Sequence, residues 1–357
     1  MRTAAALLSC LLAACASTGG AMQSTAERVD SMMADYTGRV PGAAVLVLRD
    51  GEPVVRKGYG LADLEQGTPV TPDTRFRLAS VSKQFTAAAI LLLVQDGSLS
   101  LDDPLRRWLP GLPQATDGIT LHHLLSHTSG LVDYEDLLPP DVDGQVQDAD
   151  VLGLLEGVDR LDFAPGSRYR YSNSGYVLLG LVVARASGRD FPTFLHERIF
   201  QPLGMGAVAR VDGGPPVPHR AWGYSHSDGN WTRTDQSPTS ATLGDGGIYA
   251  SIDDLAKWNA ALDDDRLLRA DLRALAFIAH TTTDEADVDG YGYGWRLHAS
   301  AHGPLQWHSG ESIGFRNVLL RWPEQRLTVV VLSNRNDPEP YGLARRLAEA
   351  IEPGSEK

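Results

Sequence analysis

Two hairpin signals at opposite ends of the chain constrain its fold most. Near the start, AAVLVLRDGEPVVRKGYG runs two β-rich segments around Asp50-Gly51, a dipeptide suited to a tight hairpin turn. Near the end, RNVLLRW and RLTVVVLSN flank Pro323-Glu324-Gln325 in the same manner. Between them the patterning turns helical. KQFTAAAILLLVQDG closes at Gly97 and SGYVLLGLVVARASG at Gly188, each with a glycine just past the last apolar position, where helices stop. Thr120 before LHHLL and Ser251-x-x-Asp254 before LAKW read as helix starts. Further helices are expected near residues 25–36 and 341–351. Two strands at the start and about three at the end predict an α+β fold, with one antiparallel sheet of about five strands built from both termini and flanked by helices. On this reading residues 25–80 and 245–357 form the sheet subdomain and residues 81–244 a large inserted all-helical subdomain, with a functional site expected between them.

Composition narrows the function classes. The 357 residues carry a net charge of −13 with no clustered basic run, which argues against a nucleic-acid partner. Both cysteines, Cys10 and Cys15, fall within the first 15 residues, so the folded part has no thiol for a disulfide, a nucleophile or a thiolate metal site. That opening segment places Arg2 before an apolar run from Ala4 to Ala14 and reads as an export signal, too short to span a bilayer. Leu12-Ala13-Ala14-Cys15 resembles a bacterial lipoprotein box, against the alternative of ordinary cleavage a few residues later. The expectation is a signal peptide over 1–14, lipidation of Cys15, a linker over 15–24, and a periplasmic or cell-envelope protein that meets the membrane only through its lipid anchor.

The stretch RLASVSKQF sets two serines beside one lysine. On a helix starting near Ser80, Ser80 and Lys83 lie within roughly 60° of each other, while Ser82 points elsewhere. A serine at a helix N-terminus also sits where backbone N–H groups favour an oxyanion. Alone, S-x-x-K is equally an N-cap and a solvated lysine. The chain has only four lysines, Lys57, Lys83, Lys257 and Lys357, in a Lys+Arg total of 32, so a lysine at this apolar helix start suits a role that needs a releasable proton, which arginine lacks.

Two further stretches complete a constellation: Tyr171-Ser172-Asn173 immediately before a helix, and His308-Ser309-Gly310 at the end of a strand. In this order S-x-x-K, Y-x-N and H-x-G resemble the signatures of the serine β-lactamase and penicillin-binding-protein superfamily, in its class C β-lactamase, DD-peptidase, D-aminopeptidase and esterase branch. LLSHTSGL and GDGGIYASIDDLAKW are similar to that branch as well, and the resemblance runs from about Val40 to Ile351. It implies Ser80 as the acylated nucleophile, Lys83 as its proton partner, and Tyr171 as relay to the leaving group, with either Lys83 or Tyr171 as the base. It also implies that Asn173, His308, Ser309 and Gly310 contact substrate, and that the backbone N–H groups of Ser80 and Glu311 form the oxyanion hole. Gly310 is expected to lack a side chain because substrate passes close by. The third signature usually begins with lysine. A histidine there has an ordinary pKa of about 6.5 and is mostly neutral at pH 7, so the charge that attracts a β-lactam carboxylate is weakened, unless Arg316 replaces it.

Rival readings are few. Gly310-Glu311-Ser312-Ile313-Gly314 satisfies the nucleophile elbow G-x-S-x-G, but that elbow needs strand, turn and helix, whereas FRNVLLRW reads as another strand. His122, His123 and His127 lack the spacing of a metal motif, and no metal or cofactor is expected. Trp222, Tyr224, Trp231, Tyr249 and Tyr291 read as packing rather than cleft residues. The expected function is a serine hydrolase acting through an acyl-enzyme on the amide or ester bond of a small molecule or short peptide, a D-amino-acid amide, a carboxylester or a β-lactam. The alternative is a lipoprotein that binds penicillin or senses cell wall without turnover.

Overall fold

The computed structural model describes residues 24–210 and 215–351. The expected signal peptide over 1–14, Cys15 and the linker up to residue 23 lie outside the described residues. One antiparallel sheet dominates. Its strands, in chain order, are β1 (Ala43–Arg49), β2 (Glu52–Tyr59), β3 (Thr281–Thr282), β4 (Gly290–Tyr291), β5 (Arg296–Ser300), β6 (Gly303–Ser312), β7 (Phe315–Trp322) and β8 (Leu327–Ser333). Their spatial order is β3-β4-β5-β6-β7-β8-β1-β2, so β1 from the start of the chain pairs with β8 from its end, Val45 opposite Val331. The sheet therefore holds eight strands rather than about five, and residues 81–244, expected to be all helical, also carry short strands at Val208–Ala209, Tyr224–Ser227 and Asn230–Arg233. Three short strands of the sheet, β3 to β5, extend its edge beside β6, and runs of two to five residues are too short to show a period of two in sequence.

The apolar runs of β1, β7 and β8 are buried on both faces of the sheet. Successive side chains of a strand point to opposite faces. On one face Val45, Val47, Val318, Val329 and Val331 pack with Val29 of helix α1 (Thr25–Met32) and with Leu343 and Leu347 of the C-terminal helix Tyr341–Ile351. On the other, Leu46, Leu319, Val330 and Leu332 pack with helices α2 (Lys83–Gln95), α3 (Leu121–Leu125), α4 (Asp148–Glu156), α5 (Asn173–Ser187) and α6 (Ile252–Ala261). Burying each such side chain contributes about 1.5–3 kcal/mol. Helix α5 ends where expected, its C-terminal Gly188 taking the left-handed conformation at φ 68°. Helix α6 begins on Ser251, whose hydroxyl accepts the Asp254 N–H while the Asp254 carboxylate caps in return.

Candidate active site

The chain enters the site from a short strand, Phe76–Arg77, and turns sharply at Ala79, whose φ of +49° lies in the left-handed region. That conformation costs a residue with a side chain on the order of 1–2 kcal/mol and is held in place by its surroundings. A 3-10 turn over Ala79–Ser82 leads into α2. With three residues per turn, positions i and i+3 eclipse, so Ser80 stands directly over Lys83. Lys83 is fully buried. Its Nζ donates to Ser80 Oγ at 3.0 Å, Asn173 Oδ1 at 2.8 Å and the Asp245 carbonyl at 3.0 Å. Two of these acceptors belong to rigid groups and fix the amine; the third direction points at the serine. A neutral amine so held presents its lone pair to the Ser80 hydroxyl proton. Ser82 does something else: it is buried and its Oγ accepts the Ile248 N–H at 3.2 Å.

Asn173 opens α5. Its backbone N–H donates to Asp133 Oδ2 at 2.7 Å and its Nδ2 to Glu135 Oε1 at 2.9 Å, so the side-chain amide is pinned with its oxygen toward Lys83. Tyr171 precedes it on an extended segment. The Tyr171 ring lies 4.9 Å from Lys83 Nζ, and its hydroxyl is buried with no hydrogen-bond partner among the described residues.

The H-x-G strand β6 runs beside the Ser80 turn. A Cβ on Gly310 would stand 2.0 Å from the Leu78 carbonyl oxygen and 3.3 Å from the Ser80 nitrogen, so the glycine is required by the backbone of the Ser80 turn rather than by passing substrate. Period-two alternation then turns Ser309 and Glu311 to the opposite face from His308 and Gly310. His308 is fully buried, its Nε2 3.0 Å from Tyr291 Oη and its Nδ1 2.6 Å from the Ser309 carbonyl. Burial, then the Arg296 cation, holds its pKa well below the usual imidazole value. It is a neutral residue beneath the site and does not line the Ser80 cleft, contrary to the expected substrate contact. Arg316 is not a free cation either: its guanidinium donates to the carbonyls of Ser312 and Phe315 at 2.9 Å and pairs with Glu311 at 2.6 Å. Ser309 Oγ accepts from Arg296 Nη1 at 2.9 Å.

A family model described as Beta-lactamase matches residues 25–352. The chain belongs to the beta-lactamase family. It is a serine hydrolase of that family. Penicillin-binding protein 4* of Bacillus subtilis (strain 168) is 32% identical over 314 residues, 83% of this chain and 69% of the relative. Esterase EstB of Burkholderia gladioli is 34% identical over 326 residues, 80% of this chain and 77% of the esterase. The solved D-amino acid amidase from Ochrobactrum anthropi SV3, complexed with D-phenylalanine, superposes with a TM-score of 0.79 at 27% identity, covering 92% of this chain and 98% of the amidase. Against the D-aminopeptidases it also matches, the chain spans less of the relative, 61% for that of Gluconobacter oxydans and 56% for that of Brucella anthropi.

Around Ser80 and Lys83, the cleft of this beta-lactamase-family protein is polar. It is lined by Arg77, Ser80, Asn173, Glu135, Asp245 and Glu311, among others, so one cation faces three carboxylates. Burial raises the Glu135 pKa, reinforced by Asp133, and burial raises that of Asp245 against the opposing pull of Lys83. Asp245 lies in the GDGGIYASIDDLAKW stretch without being singled out there, and Asp133 and Glu135 carry no sequence signal of their own. Neither does Arg296 of β5, which sits opposite Trp307, 5.4 Å from the Tyr171 ring and paired with Glu285 at 3.2 Å. Ser312 ends β6 and the chain turns straight into β7, so no strand-to-helix elbow exists there. His122 is hydrogen-bonded to Tyr293 Oη at 2.7 Å and His123 to Thr120 at the start of α3. Among the described residues no group of three His, Cys, Asp or Glu side chains could hold a metal. Of the aromatics, Trp222 stacks with Arg220 and Arg233, Trp231 with Arg335, Tyr249 with Arg220, and the Tyr224 hydroxyl accepts the Leu64 N–H. Tyr291 packs beneath Tyr171 with His308.

Proposed function

We propose that the protein hydrolyses amide or ester bonds through an acyl-enzyme on Ser80, and that it favours acyl donors bearing a free amine and no free carboxylate, as in D-amino-acid amides and esters. The observation that carries this reading is the Lys83 amine held between Ser80 Oγ, Asn173 Oδ1 and the Asp245 carbonyl. Lys83 takes the hydroxyl proton as Oγ attacks the carbonyl carbon. The oxyanion is received by the N–H groups of Ser80 and Glu311. Tyr171, beside the now cationic Lys83, passes a proton to the departing amine or alcohol as its bond to the acyl carbon breaks, and water then repeats the sequence to release the acid. For substrate choice, the Glu135 carboxylate, held by the Asn173 amide, attracts an ammonium group and repels a carboxylate, while Glu311 is offset by Arg316, Asp245 by Lys83 and Arg77, and Arg296 by Glu285. The names of the relatives, an esterase, D-aminopeptidases and a D-amino acid amidase, agree with this.

A panel of D-alanine amide, short-chain acyl esters and cephalosporins, with Ser80→Ala as blank, tests the reading. Glu135→Gln keeps the acceptor for Asn173 while removing the charge, and is expected to lower kcat/KM about tenfold for the cationic amide and less than threefold for an uncharged ester, a tenfold change corresponding to near 1.4 kcal/mol. Cephalosporin turnover exceeding both other classes would contradict it. A Ser80 adduct that never hydrolyses would favour the non-turnover penicillin-binding reading. We further propose an exported protein tethered through lipid on Cys15. Among the described residues no helix is long and apolar enough to cross a membrane. Cys15→Ser should then move the protein from the membrane to the soluble fraction, and unchanged fractionation rules the anchor out.

A further inference from the structure

Beside Tyr171 lies a buried residue that the proposed mechanism does not use. His127 follows α3 with its backbone in the left-handed region at φ +56°, although it is not a glycine, and it is only 2% exposed. A histidine serving merely as core needs no such backbone, and strain of this kind persists where the surroundings impose it. Two of the hydrogen bonds of His127 bracket one neighbour. The His127 carbonyl accepts the N–H of Arg170 at 3.0 Å, and its Nδ1 accepts the N–H of Ser172 at 3.2 Å. The residues on either side of Tyr171 are thus both tied to His127. Its imidazole lies 4.3 Å from the Tyr171 ring at a tilt of 34°, and is itself backed by Tyr291 at 4.6 Å and Tyr176 at 5.0 Å.

We infer that His127 is a positioning residue that holds the Tyr171 phenol beside Lys83, clamping the backbone on both sides of the tyrosine and packing against its ring. The clamp requires Nδ1 to be an acceptor, which places the single proton on Nε2. Protonation of Nδ1 would turn it into a donor facing the Ser172 N–H and open the clamp. Burial, then the cations of Lys83, His308 when charged, and Arg296, hold the imidazole pKa well below its usual value, so the neutral form persists. The tyrosine cannot be held by its own hydroxyl, which has no partner among the described residues, so its position depends on these backbone and ring contacts.

The inference rests on the role of Tyr171 proposed above, and a double-mutant cycle separates the two. Wild type, His127→Asn, Tyr171→Phe and the double variant are compared by kcat and KM on a short-chain alkyl ester, whose alkoxide leaving group needs the proton that Tyr171 is proposed to pass. Asparagine accepts the left-handed backbone and keeps an acceptor oxygen but lacks the ring. His127→Asn is expected to lower kcat about tenfold with KM within about twofold, and to change kcat less than twofold in the Tyr171→Phe background. An equal loss in both backgrounds overturns the inference, because His127 then acts on the fold rather than through the tyrosine. A Tyr171→Phe enzyme with the wild-type rate overturns both the inference and the proposed relay. His127→Phe, which keeps a ring and drops the acceptor, is run through the same cycle, with thermal melts of all variants, so that a folding failure of one leaves the other decisive.

Discussion

At the scale of single residues, the site depends on close approach between a strand and a turn. Gly310 is the sharpest case, since a Cβ there would stand 2.0 Å from the Leu78 carbonyl oxygen and backbone would have to move. Gly310→Ala is therefore expected to cost about 1–3 kcal/mol in a denaturant melt, as overpacking does, and to cut ester hydrolysis by on the order of a hundredfold by shifting the oxyanion N–H groups. A variant with wild-type rate and stability would show that the strand can slide without consequence. Ser80 and Lys83 were legible in the sequence because three residues in a tight turn fix their relation, whereas Asn173, 90 residues from Lys83, was marked only by the resemblance of Y-x-N to the family's second signature. His308 was legible as a motif member and Arg316 as a nearby cation, but the contacts of neither were. Which face of β6 a residue occupies is set by where Gly310 must pack, and that partner lies more than 200 residues away in the chain. Asp133 and Glu135 reach the site from a 3-10 turn and its cap with no periodicity, so sequence offered nothing to mark them; Asp245 stood in a family-like stretch, but nothing local told it apart from its neighbours.

At the scale of elements, helix starts carry a pH dependence. Asp148 opens α4 and accepts the Leu243 N–H at 2.9 Å, and although the residue is part-exposed its enclosed carboxyl has a pKa raised to about 7 by burial, with a smaller push from Asp245. A raised folded pKa means that the folded state binds more protons than the unfolded one between about 3.8 and 7. This group's contribution to stability is therefore fully present below the unfolded value and is lost as pH rises toward 7. Asp148→Asn keeps the acceptor and removes the titration. Its stability relative to wild type is expected to rise by about 1–3 kcal/mol from pH 5 to pH 7, at near 1.4 kcal/mol per unit, measured by urea unfolding at each pH. A constant difference across that range would contradict the assignment. The long elements were readable from hairpin dipeptides, caps and apolar runs. The three short edge strands were not, because pairing with β6, rather than any pattern of their own, makes them strands.

At the scale of the whole molecule, a sheet closed by β1 against β8 joins the two ends of the chain into one scaffold, and helices on both faces bury it. That closure is what lets residues 80, 173, 245 and 310 meet. The antiparallel sheet from both termini was visible in the sequence because its hairpins sit at the two ends; the packing that brings the nucleophile turn onto β6 was not, since it is decided by tertiary contact alone. Three serines compete for the chemistry within this scaffold: Ser80 over Lys83, Ser82 bonded to the Ile248 N–H, and Ser312 at the end of β6. The most direct measurement is to label the protein with a serine-directed acylating probe, digest it and map the modified peptide by mass. The account predicts one adduct on Ser80, lost in Ser80→Ala and kept in Ser82→Ala and Ser312→Ala; an adduct mapped to Ser312 would contradict it.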